Sequence, residues 1–242
     1  MQAARIAELL APFLDAPSAN DQRPTTNDAL IHNISTYIDI LQRWNARINL
    51  TAIRDEEEIV TRHFAESLFA ARHLFPSTSH VGTAALGRPS SEARRSSDAE
   101  GPRIRVADLG SGAGFPGIPI KLWAPQISLT LIESNQKKST FLREVARALT
   151  LTDVDIHAGR AETLLTAGQP RASFDVVTLR AVEHFEQALP IAARLLAPGG
   201  SLALLVGAGQ QQAAHSAITD VTWKEPIPIP KSSNRILLIA KV

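Results

Sequence analysis

The chain contains no cysteine. Disulfides, thiolate zinc sites and cysteine nucleophiles are excluded, and a reducing cytoplasm is the expected compartment. No apolar run approaches the roughly 18 residues that a membrane span needs. Arg5 and Glu8 interrupt the short apolar pattern near the N-terminus, so no signal peptide is expected either. Net charge is also scarce: 25 Lys and Arg against 24 Asp and Glu leave a formal +1. Domains that bind nucleic acid by counterion release are usually more basic, so any such site here must be a local patch. No metal-ligand spacing appears, and no metal is expected.

What is present suits an ordinary globular protein. Its 242 residues, 44% hydrophobic and 20% charged, can bury one substantial core. Ile6, Leu9, Leu10, Phe13 and Leu14 form the stripe of an amphipathic helix over 2–14, and Pro17 and Pro24 bracket a polar turn. A second helix is expected from near Asn27 to about Ile48, with Leu30, Ile31, Ile34, Ile38, Leu41 and Trp44 on one side. Asp55 reads as the N-cap of a third, with Glu56, Glu57 and Glu58 in its first turn and an end by Pro76. Residues 77–103 are rich in Ser, Gly, Ala and Arg and cannot offset the entropy of ordering, so they read as a flexible insertion. The expected division is a helical extension at 1–76, the insertion at 77–103 and a ligand-binding domain at 104–242.

From 104 the pattern alternates strands and helices, as in a parallel sheet with crossovers. Strands are expected near 104–109, 128–132, 154–157, 174–179, 201–206 and 235–241, with another over 221–229. Helix 135–149 is expected to bury Phe141, Leu142, Val145, Ala148 and Leu149. A further helix closes at Pro198, Gly199 and Gly200.

The first strand runs into Asp108 and then Gly110, Ser111, Gly112, Gly114, Phe115 and Gly117. Glycines there permit positive φ and leave backbone N–H groups free to face a nucleotide-like ligand. Gly112, Gly114 and Gly117 satisfy G-x-G-x-x-G, and Glu133 lies 21 residues beyond Gly112, so a nicotinamide dehydrogenase is a rival. Three features favour S-adenosylmethionine. Asp108 aimed into the turn would repel a pyrophosphate but accept hydrogen bonds from a cationic amino-acid ligand. The glycines alternate in the D-x-G-x-G-x-G form common in methyltransferases. Pro116 and Pro119 remove N–H donors from the first helical turn. Glu133 can then take both ribose hydroxyls, the alternative being a surface acid at a strand end. Arg160, Ala161 and Glu162 fall where methyltransferases contact adenine through a backbone N–H and an acidic side chain. A plain helix start favoured by the dipole is the other reading.

Four blocks carry a family resemblance: WNARINLTAIRD at 44–55, RHFAESL at 62–68, DLGSGAGFPG at 108–117 and LRAV at 179–182. The chain resembles the bacterial small-subunit rRNA methyltransferase G family, also called glucose-inhibited division protein B. The likeness covers all but residues 77–103 and the first two dozen. It implies a Rossmann-like α/β, seven-stranded S-adenosylmethionine-dependent methyltransferase fold with an α-helical N-terminal extension. It further implies methylation of guanine N7 in 16S rRNA, at guanine 527 in the 530-loop region, by a cytoplasmic monomer acting on rRNA or the small ribosomal subunit. Two departures stand out. Glu66 replaces the usual Asp before the serine, and Leu205-Val206-Gly207 stands where the family commonly has Leu-Lys-Gly.

Guanine N7 offers a lone pair in the neutral base, so no general base is needed. In agreement, no Asn-Pro-Pro-Tyr-like motif follows the fourth strand. Arg180, at that strand's end, reads as a positioning group, with a salt bridge to Glu183 as its structural alternative. Arg43, Arg47, Arg54, Arg62 and His63 surround Asn49 and Thr51 and form the local basic patch. Arg180, His63 and Arg54 are therefore the catalytic candidates. His63 as a satisfied core residue, and Arg43 and Arg47 as a solvated helix face, are the alternatives. Tyr37 and Trp44 are expected to pack in the helical core.

Overall fold

The computed structural model describes residues 1–14, 28–76, 103–166, 174–182 and 184–242. The polar turn from Pro17 to Pro24, the start of the second helix at Asn27, the insertion save Arg103, and Glu183 lie outside the described residues.

Five parallel strands build the sheet: β1 (Arg105–Leu109), β2 (Ser128–Ile132), β3 (Val154–His157), β4 (Phe174–Arg180) and β5 (Leu196–Gly207). Three more complete it, β6 (Thr222–Trp223), β7 (Ile227–Pro228) and β8 (Arg235–Lys241), with β8 antiparallel to β5, β6 and β7. The spatial order is β3-β2-β1-β4-β5-β8-β6, with β7 paired to β8 off that path. The single strand expected over 221–229 is thus two short pieces. Pro226, Pro228 and Pro230 withhold the N–H donors a continuous ladder would need. β5 begins at Leu196, earlier than expected, and its register with β4 shifts between Phe174 and Val176.

Register decides where a ligand can bind. Leu109 lies opposite both Ile132 and Leu179. Gly110, Glu133 and Arg180 therefore sit together at the carboxyl edge of the sheet. β1 is flanked by β2 on one side and β4 on the other, the switch point where such sheets open a crevice.

α1 (Ala3–Leu14) buries Ile6, Leu10, Phe13 and Leu14. α2 (Asp28–Asn45) buries Leu30, Ile34, Ile38 and Leu41, and Tyr37 with them. It stops at Asn45, before the expected Ile48, because that side chain turns the chain onward. Asn45 Nδ2 donates to the Thr51 carbonyl at 3.0 Å, and its Oδ1 accepts from Leu50 N at 2.9 Å and Thr51 N at 3.1 Å. The next helix is one rod of three pieces: α3 (Glu56–Glu58), a π-helical stretch (Ile59–Ala65) and α4 (Glu66–Leu74). Asp55 caps it, accepting from Glu58 N at 2.8 Å. The π stretch has no signature in apolar spacing.

The remaining helices cover the sheet: α5 (Gly117–Trp123), α6 (Gln136–Ala148), α7 (Glu162–Thr166), α8 (Phe185–Leu195) and α9 (Gln211–Ala217). One apolar cluster holds α1, α2 and the 56–74 rod together with α5, α6 and one sheet face, for example Leu10, Ile38, Leu68, Ile118 and Phe141. The other face packs Leu179, Leu189, Leu195 and Leu204. Sharing that first cluster brings the N-terminal helices onto the sheet edge beside the glycine turn.

Candidate functional site

The turn after β1 keeps left-handed backbone at Gly110, Gly112 and Gly114 (φ 70°, 55° and 82°). Five of its N–H groups are already engaged. Gly110 and Ser111 donate to the Ile132 carbonyl at 2.9 and 3.0 Å, and Gly114 donates to the Ser111 carbonyl at 2.6 Å. Gly112 donates to Glu133 Oε2 at 2.8 Å, and Gly117 to Asp108 Oδ2 at 3.2 Å. The expectation of free donors facing the ligand is corrected: the turn is wired to β2 and leaves little for a pyrophosphate.

The glycines also divide their work. A Cβ on Gly112 would meet only the Gly110 carbonyl oxygen, 3.8 Å away, so a ligand can approach there. A Cβ on Gly114 would lie 2.3 Å from the Tyr37 hydroxyl. That hydroxyl donates to the Ala113 carbonyl at 2.5 Å, fastening α2 to the turn.

Asp108 faces away from the cleft. It is 1% exposed, and its Oδ1 accepts from Thr178 Oγ1 at 2.8 Å while Oδ2 takes the Gly117 N–H. Burial pushes its carboxyl up to about 6, against the hydrogen bonds from Thr178 and Gly117. The expected contact with an amino-acid ligand is corrected: Asp108 braces β1 against β4 and the start of α5. Both faces of β1 are buried, so alternation could not reveal its direction.

Glu133 stands at the waist of the crevice. Oε2 holds Gly112 N and Oε1 holds Asn135 N at 2.8 Å, leaving each oxygen a lone pair. On one side is a cavity of about 430 Å³ walled by Leu109, Ile132, Ala161, Glu162, Val182 and Ile191. On the other, a cleft of about 660 Å³ runs past Gly110, Ser111, Gly112, Phe115 and Lys138 to Leu50, Thr51, His63 and Arg180. Gly110, Glu133, Ser134 and Val182 line both.

Arg180 lines the cleft, but its guanidinium is tied down. It is 8% exposed and donates to the His63 carbonyl at 3.3 Å, the Ser67 hydroxyl at 3.4 Å, the Arg62 carbonyl, and Glu66 Oε2 at 3.0 Å. The carbonyls of Arg62 and His63 belong to the π stretch, whose wider turn presents them to a side chain. Glu66, 1% exposed, also faces Arg62 Nε at 3.4 Å and Arg235 Nη2 at 2.9 Å. Three guanidinium groups thus share one carboxylate. Burial lowers the Arg180 pKa to about 10, which leaves it charged at neutral pH.

His63 is half-buried at the cleft wall, with Nε2 2.8 Å from Thr51 Oγ1. Burial first, then Arg180, Arg62 and Arg235, push its pKa down to about 3, so the ring is neutral. Its Nδ1 is buried without a partner among the described residues. The reading of His63 solely as a core residue does not hold, because the ring lines the cleft.

Arg54 does not line the cleft. It is exposed, donates to the Thr51 carbonyl, and lines a separate cavity with Asn45, Ile53 and Ile59. Arg43 and Arg47 are exposed as well. Trp44 packs as expected, against Phe141, and donates to Glu144 at 2.9 Å. Val206 is 4% exposed in the second apolar cluster. Some cleft residues were not singled out in the sequence: Lys138 lies on the charged face of α6, and Leu50 and Val182 entered only as members of the blocks at 44–55 and 179–182, since a lone apolar residue in a loop or at a strand end is common.

The family described as rRNA small subunit methyltransferase G matches residues 30–86 and 93–232. The ribosomal RNA small subunit methyltransferase G of Roseiflexus sp. (strain RS-1) is 39% identical over 220 residues, covering 88% of this chain and 83% of that protein. Its counterpart in Xanthomonas campestris pv. campestris (strain 8004) is 33% identical over 224 residues, 91% of each chain. A SAM dependent methyltransferase from Aquifex aeolicus shares 14% identity at a TM-score of 0.47, over 57% of this chain and 82% of that one.

Proposed function

Because the chain belongs to the rRNA small subunit methyltransferase G family, we propose that it transfers a methyl group from S-adenosylmethionine to N7 of one guanine in 16S rRNA, position 527 in the reference ribosome. A single observation carries the assignment of the site. The 660 Å³ cleft has the glycine turn and Glu133 on one wall and Thr51, His63 and Arg180 on another, so donor and acceptor sides open onto one space.

The residues present fit the donor. Gly112 leaves room for close approach, Glu133 retains acceptor capacity for ribose hydroxyls, and the apolar Leu109, Ile132, Ala161 and Val182 with the polar Arg160, Glu162 and Gln187 form a mixed slot for adenine. When bound, S-adenosylmethionine supplies an electrophilic sulfonium methyl that the N7 lone pair can take without prior proton removal.

The protein's part is then placement and electrostatics. Arg180 and Glu66 hold the 62–67 turn of the helical rod against the end of β4, which fixes His63 and the cleft wall. Positive charge develops on the purine as N7 gains the methyl, so a free cation beside it would be unfavourable. Arg180 is paired with Glu66, which it shares with Arg62 and Arg235, so its charge is only partly offset, and His63 carries no charge. Positioning is the role that suits both residues, and a general base is not required. Arg54, outside the cleft, fits contact with the RNA backbone, where phosphates are held without sequence readout. The acting species in this reading is a single chain in the cytoplasm with rRNA or the small subunit as partner. Titration with S-adenosylmethionine and with NAD tests the donor: saturable binding of the first only is expected, and binding of NAD alone would overturn it.

A further inference from the structure

Tyr37, Phe115 and His63 form a column of near-parallel rings. Tyr37 and Phe115 are 5.3 Å apart at 9°, and Phe115 and His63 are 4.7 Å apart at 16°. The column begins in the buried helical core, passes through the glycine turn and ends at the cleft, where His63 is its last member. Phe64 braces it edge-on, 5.2 Å from Tyr37 and 5.0 Å from Phe115.

We propose that the His63 ring is the platform on which the target purine stacks, extending the Tyr37–Phe115–His63 column by one ring. The proposal rests on the methyl-transfer reading above and names the group that receives the base. Three observations support it. Phe115 covers one ring face, yet the ring still lines the cleft beside Gly112, Thr51 and Arg180. Thr51 Oγ1, itself fixed by the Ile53 N–H at 3.1 Å, holds Nε2 and prevents the ring from turning edge-on. Burial, and then the surrounding arginines, keep the imidazole neutral, so it offers an uncharged π surface. Such a surface tolerates a purine that becomes cationic on N7-methylation, as any aromatic face does toward a cation, whereas an imidazolium would repel it. Stacking also explains why a histidine here need not exchange a proton.

The test compares His63→Phe, which keeps a ring, with His63→Leu, which fills the space without one. Measurements are the Kd for S-adenosylmethionine, and KM and kcat on undermodified small-subunit RNA. Base stacking on an aromatic side chain is strong enough that His63→Leu should raise the KM for RNA about tenfold. Its cofactor Kd should stay within about twofold of wild type, which also reports an intact cleft, and His63→Phe should restore KM to within about threefold. Unaltered KM in His63→Leu, equal losses in both variants, or a cofactor Kd that moves with KM would each overturn the platform. Failure of the wild-type protein to methylate RNA would instead sink the reading beneath it.

Discussion

Arg180 at the end of β4 and Glu66 at the start of α4 are joined at 3.0 Å although 114 residues separate them in sequence. This bond, both partners buried, is what locks the helical rod onto the sheet edge and makes one cleft of two chain regions. Glu66 is also the only described acid facing Arg62, Arg180 and Arg235 together.

Removing that acid leaves the buried Arg180 guanidinium without its carboxylate. Glu66→Gln should destabilise the protein by about 3–5 kcal/mol, the cost of breaking a buried pair from one side. Arg180→Ala should leave cofactor affinity largely intact and cut methyl transfer by about a hundredfold, because the cleft wall loses its placement. Urea unfolding checks the first and labelled-methyl transfer the second. A Glu66→Gln variant as stable as wild type, or near-normal turnover in Arg180→Ala, would contradict the account.

Gly114 and Gly112 should respond differently to alanine. At Gly114 the new Cβ would meet the Tyr37 hydroxyl at 2.3 Å and Ile118 at 2.7 Å, on top of a φ of +82°. Backbone strain and overpacking each contribute about 1–3 kcal/mol, so Gly114→Ala should be the less stable protein. Tyr37→Phe should recover part of that loss, seen as a non-additive double-mutant cycle. At Gly112, φ +55°, the new Cβ would meet only the Gly110 carbonyl oxygen at 3.8 Å, so Gly112→Ala carries backbone strain without the clash and should cost less stability than Gly114→Ala while weakening cofactor binding, measured by calorimetry.

Asp108 gives a pH signature. Its folded pKa of about 6 exceeds the ordinary 3.8, so the folded state holds the proton better than the unfolded chain. Its favourable contribution is complete below about pH 4 and is lost as pH rises through 6. Asp108→Asn keeps an acceptor for Gly117 and carries no charge. Relative to wild type it should gain on the order of 2–3 kcal/mol between pH 4 and pH 7, read from urea unfolding at both ends. His63 acts in the opposite sense, since its folded pKa of about 3 lies below the ordinary 6.5 and its contribution is lost as pH falls. Both proteins contain His63, so the comparison isolates Asp108. A pH-independent difference would refute the assignment.

In the proposed reading Arg54 contacts the RNA backbone. Arg54→Ala should leave stability and cofactor Kd unchanged, weaken RNA binding several-fold, and reduce the slope of log affinity against log salt by about 1, as loss of one phosphate contact does. An unchanged slope would remove Arg54 from the interface.

The glycine turn, Glu133 and the end of β4 were legible in the sequence because each is marked by local chemistry: alternating glycines, an acid after an apolar strand, an arginine closing one. The mostly parallel sheet with helical crossovers followed from the alternation of elements. The Glu66–Arg180 bond was not legible, since nothing local ties a helix residue to a strand end so distant in the chain. The direction of Asp108 was hidden because β1 is buried on both faces. Tyr37 was correctly expected in the helical core, but its bond to Ala113 depends on how α2 meets the turn, which side-chain periodicity does not encode. The π stretch was hidden for a related reason: it alters which carbonyls point outward, not which residues are apolar.

The most direct measurement is transfer of labelled methyl from S-adenosylmethionine to undermodified small-subunit RNA, followed by mapping of the modified base. The account predicts label on N7 of a single guanine, at the position equivalent to 527. Transfer to another atom or base, or none to either the naked RNA or the assembled small subunit, would contradict it.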